Sequence, residues 1–146
     1  MNDESRKFFE TVRDYLLIYM AKQRVMSRNT ITSYKQAINQ YLSFLVENKS
    51  IKYEDICFRD WSAANINGYL QYLENERNIA ASTRNQRLFA IRAFMKYARM
   101  VNPELGHASL EVQSIAKARE DTEPVAFLSE KAVQCLLSQP GTATKI

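Results

Sequence analysis

Residues 27–48 read SRNTITSYKQAINQYLSFLVEN, and this stretch decides the fold. Its large apolar side chains recur at steps of three and four residues, so they share one face of a helix. These side chains are Ile31, Tyr34, Ile38, Leu42 and Leu45. Ser27 precedes them, and a serine hydroxyl can accept a hydrogen bond from a free backbone N–H in the first turn of a helix. The pattern therefore predicts an amphipathic helix that begins at Ser27 and ends near Asn48.

The same periodicity predicts three more helices, over residues 3–23, 60–77 and 82–100. We expect their buried faces to consist of Phe8, Val12, Tyr15 and Tyr19 in the first, Trp61, Ile66, Leu70 and Leu73 in the third, and Leu88, Ile91, Met95 and Ala98 in the fourth. The fourth should open at Ser82, which is again of the capping type. Its second apolar stripe predicts burial on two sides. That stripe consists of Phe89, Ala93, Tyr97 and Met100. Gly68, within the third helix, costs about 1 kcal/mol relative to alanine and suggests a close helix crossing.

The pattern changes after the fourth helix. Residues 103–126 have no clear helical period and contain Pro124, which indicates a linker. Ser129 then has the character of one more helix cap. We therefore expect an all-α protein, with a compact bundle of four to five helices in residues 1–102. The linker would lead to the first helix of a second, truncated domain in residues 127–146.

The composition excludes several classes of protein. Three Gly and three Pro leave little turn chemistry for an all-β fold. No apolar run reaches the roughly 20 residues of a membrane helix, and the charged start MNDESRKFFE lacks the apolar segment of a signal peptide. Cys57, Cys135 and the single histidine, His107, have neither metal-site spacing nor a disulfide pattern. We expect a soluble cytoplasmic protein that has no membrane segment and binds no metal or other cofactor.

The charges are clustered. No carboxylate lies between Asp14 and Glu47, and none lies between Glu76 and Glu104. The basic residues of these two segments are Lys22, Arg24, Arg28, Lys35, Arg77, Arg84, Arg87, Arg92, Lys96 and Arg99. Clustering of this kind is typical of a protein that binds a polyanion. Two solvated helix faces, balanced by the acidic segments between them, would give the same pattern.

The predicted second helix also has an unusual polar face. It carries hydroxyls and amides rather than charges: Thr32, Ser33, Gln36, Asn39, Gln40 and Ser43. A solvent-facing helix usually carries Glu–Lys pairs at four-residue spacing, because they add helix stability. A face without carboxylates, flanked by Arg28 and Lys35, suits contact with the phosphates and base edges of DNA.

The starts of the second and fourth helices are a further indication of DNA binding. Residues 27–30 read SRNT and residues 82–85 read STRN, so each start carries an arginine and an asparagine beside free backbone N–H groups. Arginine is unfavourable at the positive end of a helix dipole, and an anionic ligand would explain its placement. The candidate DNA-binding residues are Arg28, Asn29, Thr30, Ser33, Lys35, Gln36, Ser82, Thr83, Arg84, Asn85, Arg87, Arg92, Lys96 and Arg99.

These motifs resemble those of tyrosine recombinases of the phage-integrase type. The SRNT start followed by Tyr34 is similar to the Ser-x-Asn-Thr helix of their N-terminal, SAM-like core-binding domain. Residues 82–94, STRNQRLFAIRAF, resemble the last helix of that domain, and residues 127–131, FLSEK, resemble the entry to the catalytic domain that follows it. The resemblance covers roughly residues 8–140.

The resemblance implies a function. In this family the helical domain clamps one side of duplex DNA, its second and fourth helices approach the major groove, and protomers assemble as tetramers on DNA. It implies a parent protein that breaks and rejoins DNA through a tyrosine–phosphate ester, in integration or recombination, with catalytic residues beyond this chain. The segment Leu105-Gly106-His107 is similar to a catalytic box of the family, but Ala116 stands where the nucleophilic tyrosine would follow, so we interpret it as a chance match. The chain itself is expected not to be an enzyme.

A second hypothesis comes from a different class of protein. A helical protein-interaction module would place the neutral face of the second helix in a protein groove, and its basic residues would provide solubility without binding nucleic acid. A third possibility is a chain that is complete in nature and acts as a regulator by occupying recombination sites. Retention on heparin that collapses at moderate salt would favour DNA binding over the second hypothesis.

Overall fold

A computed structural model describes residues 2–118 of the chain. Five α-helices make up most of this part, and it contains no β-strand. They are α1 (Asp3–Asp14), α2 (Arg28–Asn48), α3 (Ala63–Asn75), α4 (Ala81–Val101) and α5 (Gly106–Gln113). The prediction of an all-α bundle of four to five helices is confirmed.

Shorter helical pieces connect these elements. α1 continues directly into a π-helical segment, Tyr15–Gln23, so the first helical stretch ends where the sequence predicts. Two 3₁₀ turns, Tyr53–Asp55 and Phe58–Asp60, lie between α2 and α3. A third, Pro103–Leu105, joins α4 to α5. None of the helices in the described residues is both long and apolar enough to cross a membrane.

Side-chain caps set the starts of three helices, and only the cap of α2 was predicted. The Asn2 side chain accepts from the Ser5 N–H at 2.8 Å at the start of α1. The Ser27 hydroxyl accepts from the Thr30 N–H at 3.1 Å, as expected for the start of α2. Ser62 caps α3 in the same way, through the Asn65 N–H at 3.2 Å. The predicted start of this helix at Asp60 is therefore wrong. Asp60 instead closes the preceding 3₁₀ turn by accepting from the Cys57 N–H at 3.0 Å.

Ser82 is not a helix cap. α4 begins at Ala81, and the capping position belongs to Ala80, whose side chain has no hydrogen-bonding group. Ser82 therefore lies inside the first turn of α4, where its side chain is exposed. This corrects the sequence prediction by one residue.

The core forms around α4, which packs against α2, α3 and α5. Its Phe94 ring is fully buried, with its centroid 5.0 Å from that of Trp61 and 5.4 Å from that of Tyr15. The predicted core positions that are buried are Phe8, Tyr15, Ile38, Leu42, Leu45, Trp61, Ile66, Leu70, Leu73, Leu88, Ile91, Met95 and Ala98. Burial of one such large side chain contributes roughly 1.5–3 kcal/mol, so this cluster supplies most of the stabilisation of the bundle.

The second apolar stripe predicted for α4 is only partly buried. Phe89 is 40% exposed and Met100 is 62% exposed, while Ala93 and Tyr97 are half-buried. We expected another helix to cover this stripe, but the helices that pack against α4 cover a different part of its surface.

Two further predictions need correction. A Cβ atom added at Gly68 would meet nothing within 4 Å, so this glycine does not mark a close helix crossing. Residues 103–113, assigned to a linker, form the 3₁₀ turn and α5. α5 packs against α3 and α4 with Val112 fully buried, and a helix this short shows little of its period in sequence. The predicted second domain, residues 127–146, lies outside the described residues.

Candidate nucleic-acid interface

The polar face of α2 is on the surface, as the sequence predicts. Arg28, Asn29, Lys35 and Gln36 are exposed, and Thr30 and Ser33 are half-buried. The neutral side chains that continue this face, Thr32, Asn39, Gln40 and Ser43, are exposed as well. The first carboxylate along α2 is Glu47, near its C-terminal end. The first four turns of α2 therefore present only neutral and positive groups to solvent.

A chain of hydrogen bonds joins this face to the start of α4. The Gln86 side-chain amide donates to the Ser33 hydroxyl at 2.7 Å, and the Arg87 guanidinium donates to the Gln86 carbonyl oxygen at 2.7 Å. Ser33 and Gln86 are 53 residues apart in sequence. Two surfaces predicted separately thus form one continuous surface, which we call the α2–α4 surface: Arg28, Asn29, Thr30, Ser33, Lys35, Gln36, Gln40, Gln86 and Arg87.

Arg87 is held partly inside this surface. Its guanidinium lies beside the hydroxyl of Tyr69, a residue of α3 that is only 1% exposed. Burial raises the pKa of Tyr69 to about 12, and the positive charge of Arg87 counteracts part of that rise. The arginine is therefore oriented by Gln86 of its own helix and by Tyr69 of α3 rather than extended freely into solvent.

Arg84 and Asn85 do not lie on the surface, in contrast to the sequence prediction. Arg84 is 9% exposed, and its Nε lies 2.8 Å from Oε1 of Glu74 in α3. Asn85 is fully buried and binds the backbone of Ala118. The sequence prediction failed here because helix periodicity does not reveal which side of a helix start the neighbouring elements will cover. The side chains of both residues are therefore engaged in contacts within the fold at the start of α4.

The remaining basic candidates lie farther along α4. Lys96 and Arg99 are exposed, whereas Arg92 is half-buried with its guanidinium 5.8 Å from the ring centroid of Phe89. Burial and the neighbouring charge of Arg84 lower the pKa of Arg92. These residues extend the positive surface of α4 toward its C-terminal end, but none of them belongs to the hydrogen-bonded link with α2.

Ser82 and Thr83 stand at the start of α4. Ser82 is exposed and Thr83 is half-buried. Because no side chain caps α4, the first backbone N–H groups of this helix carry the positive end of its dipole without a neutralising side-chain oxygen. This arrangement keeps the start of α4 favourable for an anion.

Several tyrosines of the helices are buried or half-buried. Tyr15 and Tyr41 are 2% and 0% exposed, and burial raises the pKa of both phenols far above the ordinary value. The Tyr41 hydroxyl donates to the Asp60 carbonyl oxygen at 2.7 Å. Tyr34 and Tyr97 are half-buried. No group of three or more His, Cys, Asp or Glu side chains that could hold a metal occurs within residues 2–118.

Sequence reasoning missed two residues near the α2–α4 surface. Tyr69 gave no signal, because a tyrosine on an apolar helix face is usually a core residue. Arg77 was counted among the clustered cations but not selected, since it follows α3 rather than lying on a predicted binding helix. Both line the same cavity as Arg87.

The fold and this surface define a class: a small all-α domain with a polar, carboxylate-free helix face joined to a basic helix start. The profile of the family described as "Phage integrase, N-terminal SAM-like domain" matches residues 8–102. The chain belongs to this family, which confirms the resemblance seen in the sequence.

Two relatives from Sinorhizobium fredii (strain NBRC 101917 / NGR234) agree with this assignment. "Putative integrase/recombinase y4rC" is 31% identical over 133 residues, which are 91% of this chain and 40% of the relative. "Putative integrase/recombinase y4rD" is 26% identical over 133 residues, which are 91% of this chain and 47% of the relative. The chain thus spans less than half the length of either relative. No solved structure matches it.

Proposed function

We propose that this chain is the DNA-binding domain of a site-specific tyrosine recombinase and contacts duplex DNA through its α2–α4 surface. The observation that carries the proposal is the Ser33–Gln86–Arg87 link, which joins a polar helix face to a basic helix start. A surface of this kind can meet phosphates and base edges at once, because hydroxyls and amides hydrogen bond to both.

The contacts divide by chemistry. Arg28, Lys35 and Arg87 would neutralise phosphates, with Lys96 and Arg99 adding longer-range attraction. Asn29, Thr30, Ser33, Gln36, Ser82 and Thr83 would hydrogen bond to phosphate oxygens or base edges. Arg84 and Asn85, which the sequence had suggested as contacts, would act only by supporting the start of α4.

DNA cleavage and rejoining would be carried out by other parts of the recombinase. Family membership and the two integrase/recombinase relatives support a parent protein that breaks and rejoins DNA in integration or recombination. We assign the chemical steps to the part of such a protein that this chain does not match. In this proposal the chain alone is not an enzyme, and it would assemble with other protomers of the recombinase, as a tetramer, on DNA.

The proposal is tested by fluorescence anisotropy of a mixed-sequence duplex over a salt series. The double variant Arg28→Gln/Lys35→Gln should bind more weakly, with a log–log salt slope shallower by about 0.9 for each phosphate contact removed. The matched control, Lys7→Gln/Arg13→Gln, removes the same charge from exposed positions of α1 and should keep the wild-type slope. If the wild type does not bind at low salt, or if both double variants behave alike, the α2–α4 surface is not the DNA-binding surface. The first of these results would favour a protein-interaction module.

A further inference from the structure

A cavity of about 230 Å³ opens where the π-helical segment Tyr15–Gln23, the first turns of α2 and the C-terminal half of α4 meet. Four tyrosines line it: Tyr15, Tyr19, Tyr34 and Tyr97. The rings of Tyr15, Tyr19 and Tyr97 contact one another, with centroids 4.6 to 5.9 Å apart, so this wall is already built in the free protein. We call this space the tyrosine cavity.

The rest of the lining is mostly methionine, from Met20, Met26 and Met100. Tyrosine, methionine and Arg24 together make up eight of the ten described residues that line the cavity. Aromatic residues, methionine and arginine are the types enriched where two proteins contact each other, and the flexible methionine side chain adapts to the surface it meets. The composition therefore favours a protein as the ligand.

Apolar side chains continue from the cavity onto the surface. Met100 is 62% exposed, and Val25, which lies between the lining residues Arg24 and Met26, is 77% exposed. Val25 has a φ of 50°, which is unusual for a β-branched residue, and the π-helix before it has nine residues, whereas most are a single turn. Strained residues and π-helical segments both occur often at functional sites. This apolar rim would gain no contact from a phosphate backbone, but a protein would bury it.

The cavity also carries positive charge. Arg24 and Lys96 line it, and both side chains are exposed. The Arg24 guanidinium donates to the Tyr19 hydroxyl at 3.3 Å, which holds its charge beside the aromatic wall. No carboxylate is among the described residues of the lining. Charge complementarity therefore selects an acidic partner.

The volume sets the size of the group that enters. An apolar cavity of about 150 Å³ holds a benzene ring, so the tyrosine cavity, at about 230 Å³, has space for one bulky apolar side chain. A whole helix or strand would not fit, so the partner would insert a single anchor residue and lie across the rim. Carboxylates on either side of this anchor would then meet Arg24 and Lys96.

We propose that the tyrosine cavity binds an acidic segment of a partner protein, which inserts one bulky apolar side chain and places its carboxylates on Arg24 and Lys96. This role goes beyond DNA binding, because none of the residues that define the α2–α4 surface lines the cavity. DNA and the partner would occupy separate surfaces of the domain. The chain would thus carry a second protein to the DNA that it binds.

Methionine methyl signals report directly on the cavity. Three of the chain's five methionines line it, whereas Met95 is fully buried elsewhere in the core. The probes are synthetic peptides in which a central leucine, methionine, phenylalanine, tyrosine or tryptophan has two glutamates on each side. In an NMR titration of the full chain, at least one of them should shift the methyl signals of Met20, Met26 and Met100 and leave that of Met95 in place.

Two altered peptides test the chemistry of the partner. The shifts should be lost when alanine replaces the central residue of the binding peptide, and also when lysines replace its glutamates. Equal shifts with the acidic and the basic peptide would overturn the proposal. Absence of shifts with every acidic peptide at millimolar concentration would overturn it as well.

A pair of charge-matched double variants tests the acidic contact. Arg24→Gln/Lys96→Gln should weaken peptide binding about fivefold, as expected for the loss of two exposed ion pairs. The control, Lys22→Gln/Arg99→Gln, removes the same charge from exposed positions of the same two stretches that do not line the cavity, and it should bind like the wild type. Equal affinities of the two double variants would mean that Arg24 and Lys96 do not hold the peptide.

Two variants test the apolar contact. Met100→Gln alters a mostly exposed side chain, so it should keep the wild-type melting temperature while peptide affinity falls several-fold. Ala93→Leu fills the cavity from α4 and should abolish binding, with circular dichroism to verify the fold. DNA affinity should stay at the wild-type value in both, so failure here is distinguishable from failure of the proposed function. Wild-type peptide affinity in both variants would overturn the proposal.

The same methyl signals identify other occupants. If no peptide binds but duplex DNA shifts the signals of Met20, Met26 and Met100, the cavity belongs to the DNA interface. If they shift only with the concentration of the chain itself, the occupant is a second copy. Either result would overturn the assignment to an acidic partner protein.

Discussion

Asn85 holds the backbone of Ala118 at two points. Its Nδ2 donates to the Ala118 carbonyl oxygen at 2.8 Å, and its Oδ1 accepts from the Ala118 N–H at 2.7 Å. An amide side chain carries both a donor and an acceptor, so this one residue makes both bonds. The contact joins the chain after α5 to the start of α4, 33 residues earlier in sequence. The start of α4, which carries Arg87, is therefore also the point at which the backbone of Ala118 is anchored.

Replacing Asn85 with alanine should destabilise the domain. Loss of two buried hydrogen bonds, each worth about 1 kcal/mol, predicts a free energy of unfolding lower by about 2 kcal/mol, measured by urea denaturation. Asn67→Ala is the matched control, because Asn67 is exposed within α3 and alanine is the better helix former. Equal stability of the two variants would mean that the Asn85–Ala118 contact contributes nothing in solution.

The Arg84–Glu74 ion pair should stabilise the fold without contributing to DNA binding. Glu74→Gln leaves a guanidinium that is only 10% exposed without its carboxylate. Because Glu74 itself is 39% exposed, solvent screens the pair, and we expect a loss of only about 1 kcal/mol. Arg84→Gln should lower stability similarly while keeping the salt slope of DNA binding. A slope shallower by about 0.9, the change expected when one phosphate contact is lost, would return Arg84 to the list of direct contacts.

Gly68→Ala should stabilise the protein. The position lies within α3, and an added Cβ meets nothing within 4 Å. Alanine is favoured over glycine by about 1 kcal/mol in a helix interior, so the melting temperature should rise with no change in DNA affinity. A fall in melting temperature would indicate that the glycine is needed for a contact outside the described residues.

A negative charge on the polar face of α2 should weaken DNA binding specifically. Gln36→Glu and Gln71→Glu make the same change at exposed helical positions, in α2 and α3 respectively. Repulsion from a nearby phosphate is worth about 1 kcal/mol in water at contact distance, which predicts an affinity reduced about fivefold for Gln36→Glu alone. The two affinities are compared by anisotropy at one salt concentration. Equal effects would mean that net charge, not location, governs binding.

The raised pKa values of the buried tyrosines predict that the folded protein loses stability at alkaline pH. Burial raises the pKa of Tyr15, Tyr41 and Tyr69 above the ordinary value of 10.0, to about 12 for Tyr69. Folded-state phenols then retain protons that the unfolded chain loses, so stability is unaffected well below pH 10 and falls as the pH rises above it. For Tyr69 the loss should extend to about pH 12, at up to about 1.4 kcal/mol per pH unit. Phenolate absorbance and helical circular dichroism should change together; phenolate formation near pH 10 in all tyrosines without unfolding would contradict the burial.

Much of the secondary structure follows from the sequence, because helix formation depends on residues that are close to one another along the chain. The step of three and four residues in 27–48 and the Ser27 cap determined α2, since a helix depends on neighbours within one or two turns. The absence of carboxylates from the first turns of α2 determined the character of its exposed face. The motifs at the starts of α2 and α4 identified the family. The short helix α5 was missed because eight residues contain too little of the helical period.

Only the tertiary structure decided which polar side chains at the start of α4 lie at the surface. Arg84 and Arg87 are three residues apart in the same helix, yet Glu74 pairs with the first while Tyr69 and Gln86 contact the second. No periodicity distinguishes them, because both belong to the same charged cluster and the residues that separate them, Glu74 and Tyr69, lie in α3. The cavity that Arg87 lines arises in the same way, where α2, α3 and the start of α4 meet. The sequence by itself determined the helices and the surface chemistry of α2; packing between distant segments decided that Arg87 lies at the α2–α4 surface and that Arg84 pairs with Glu74.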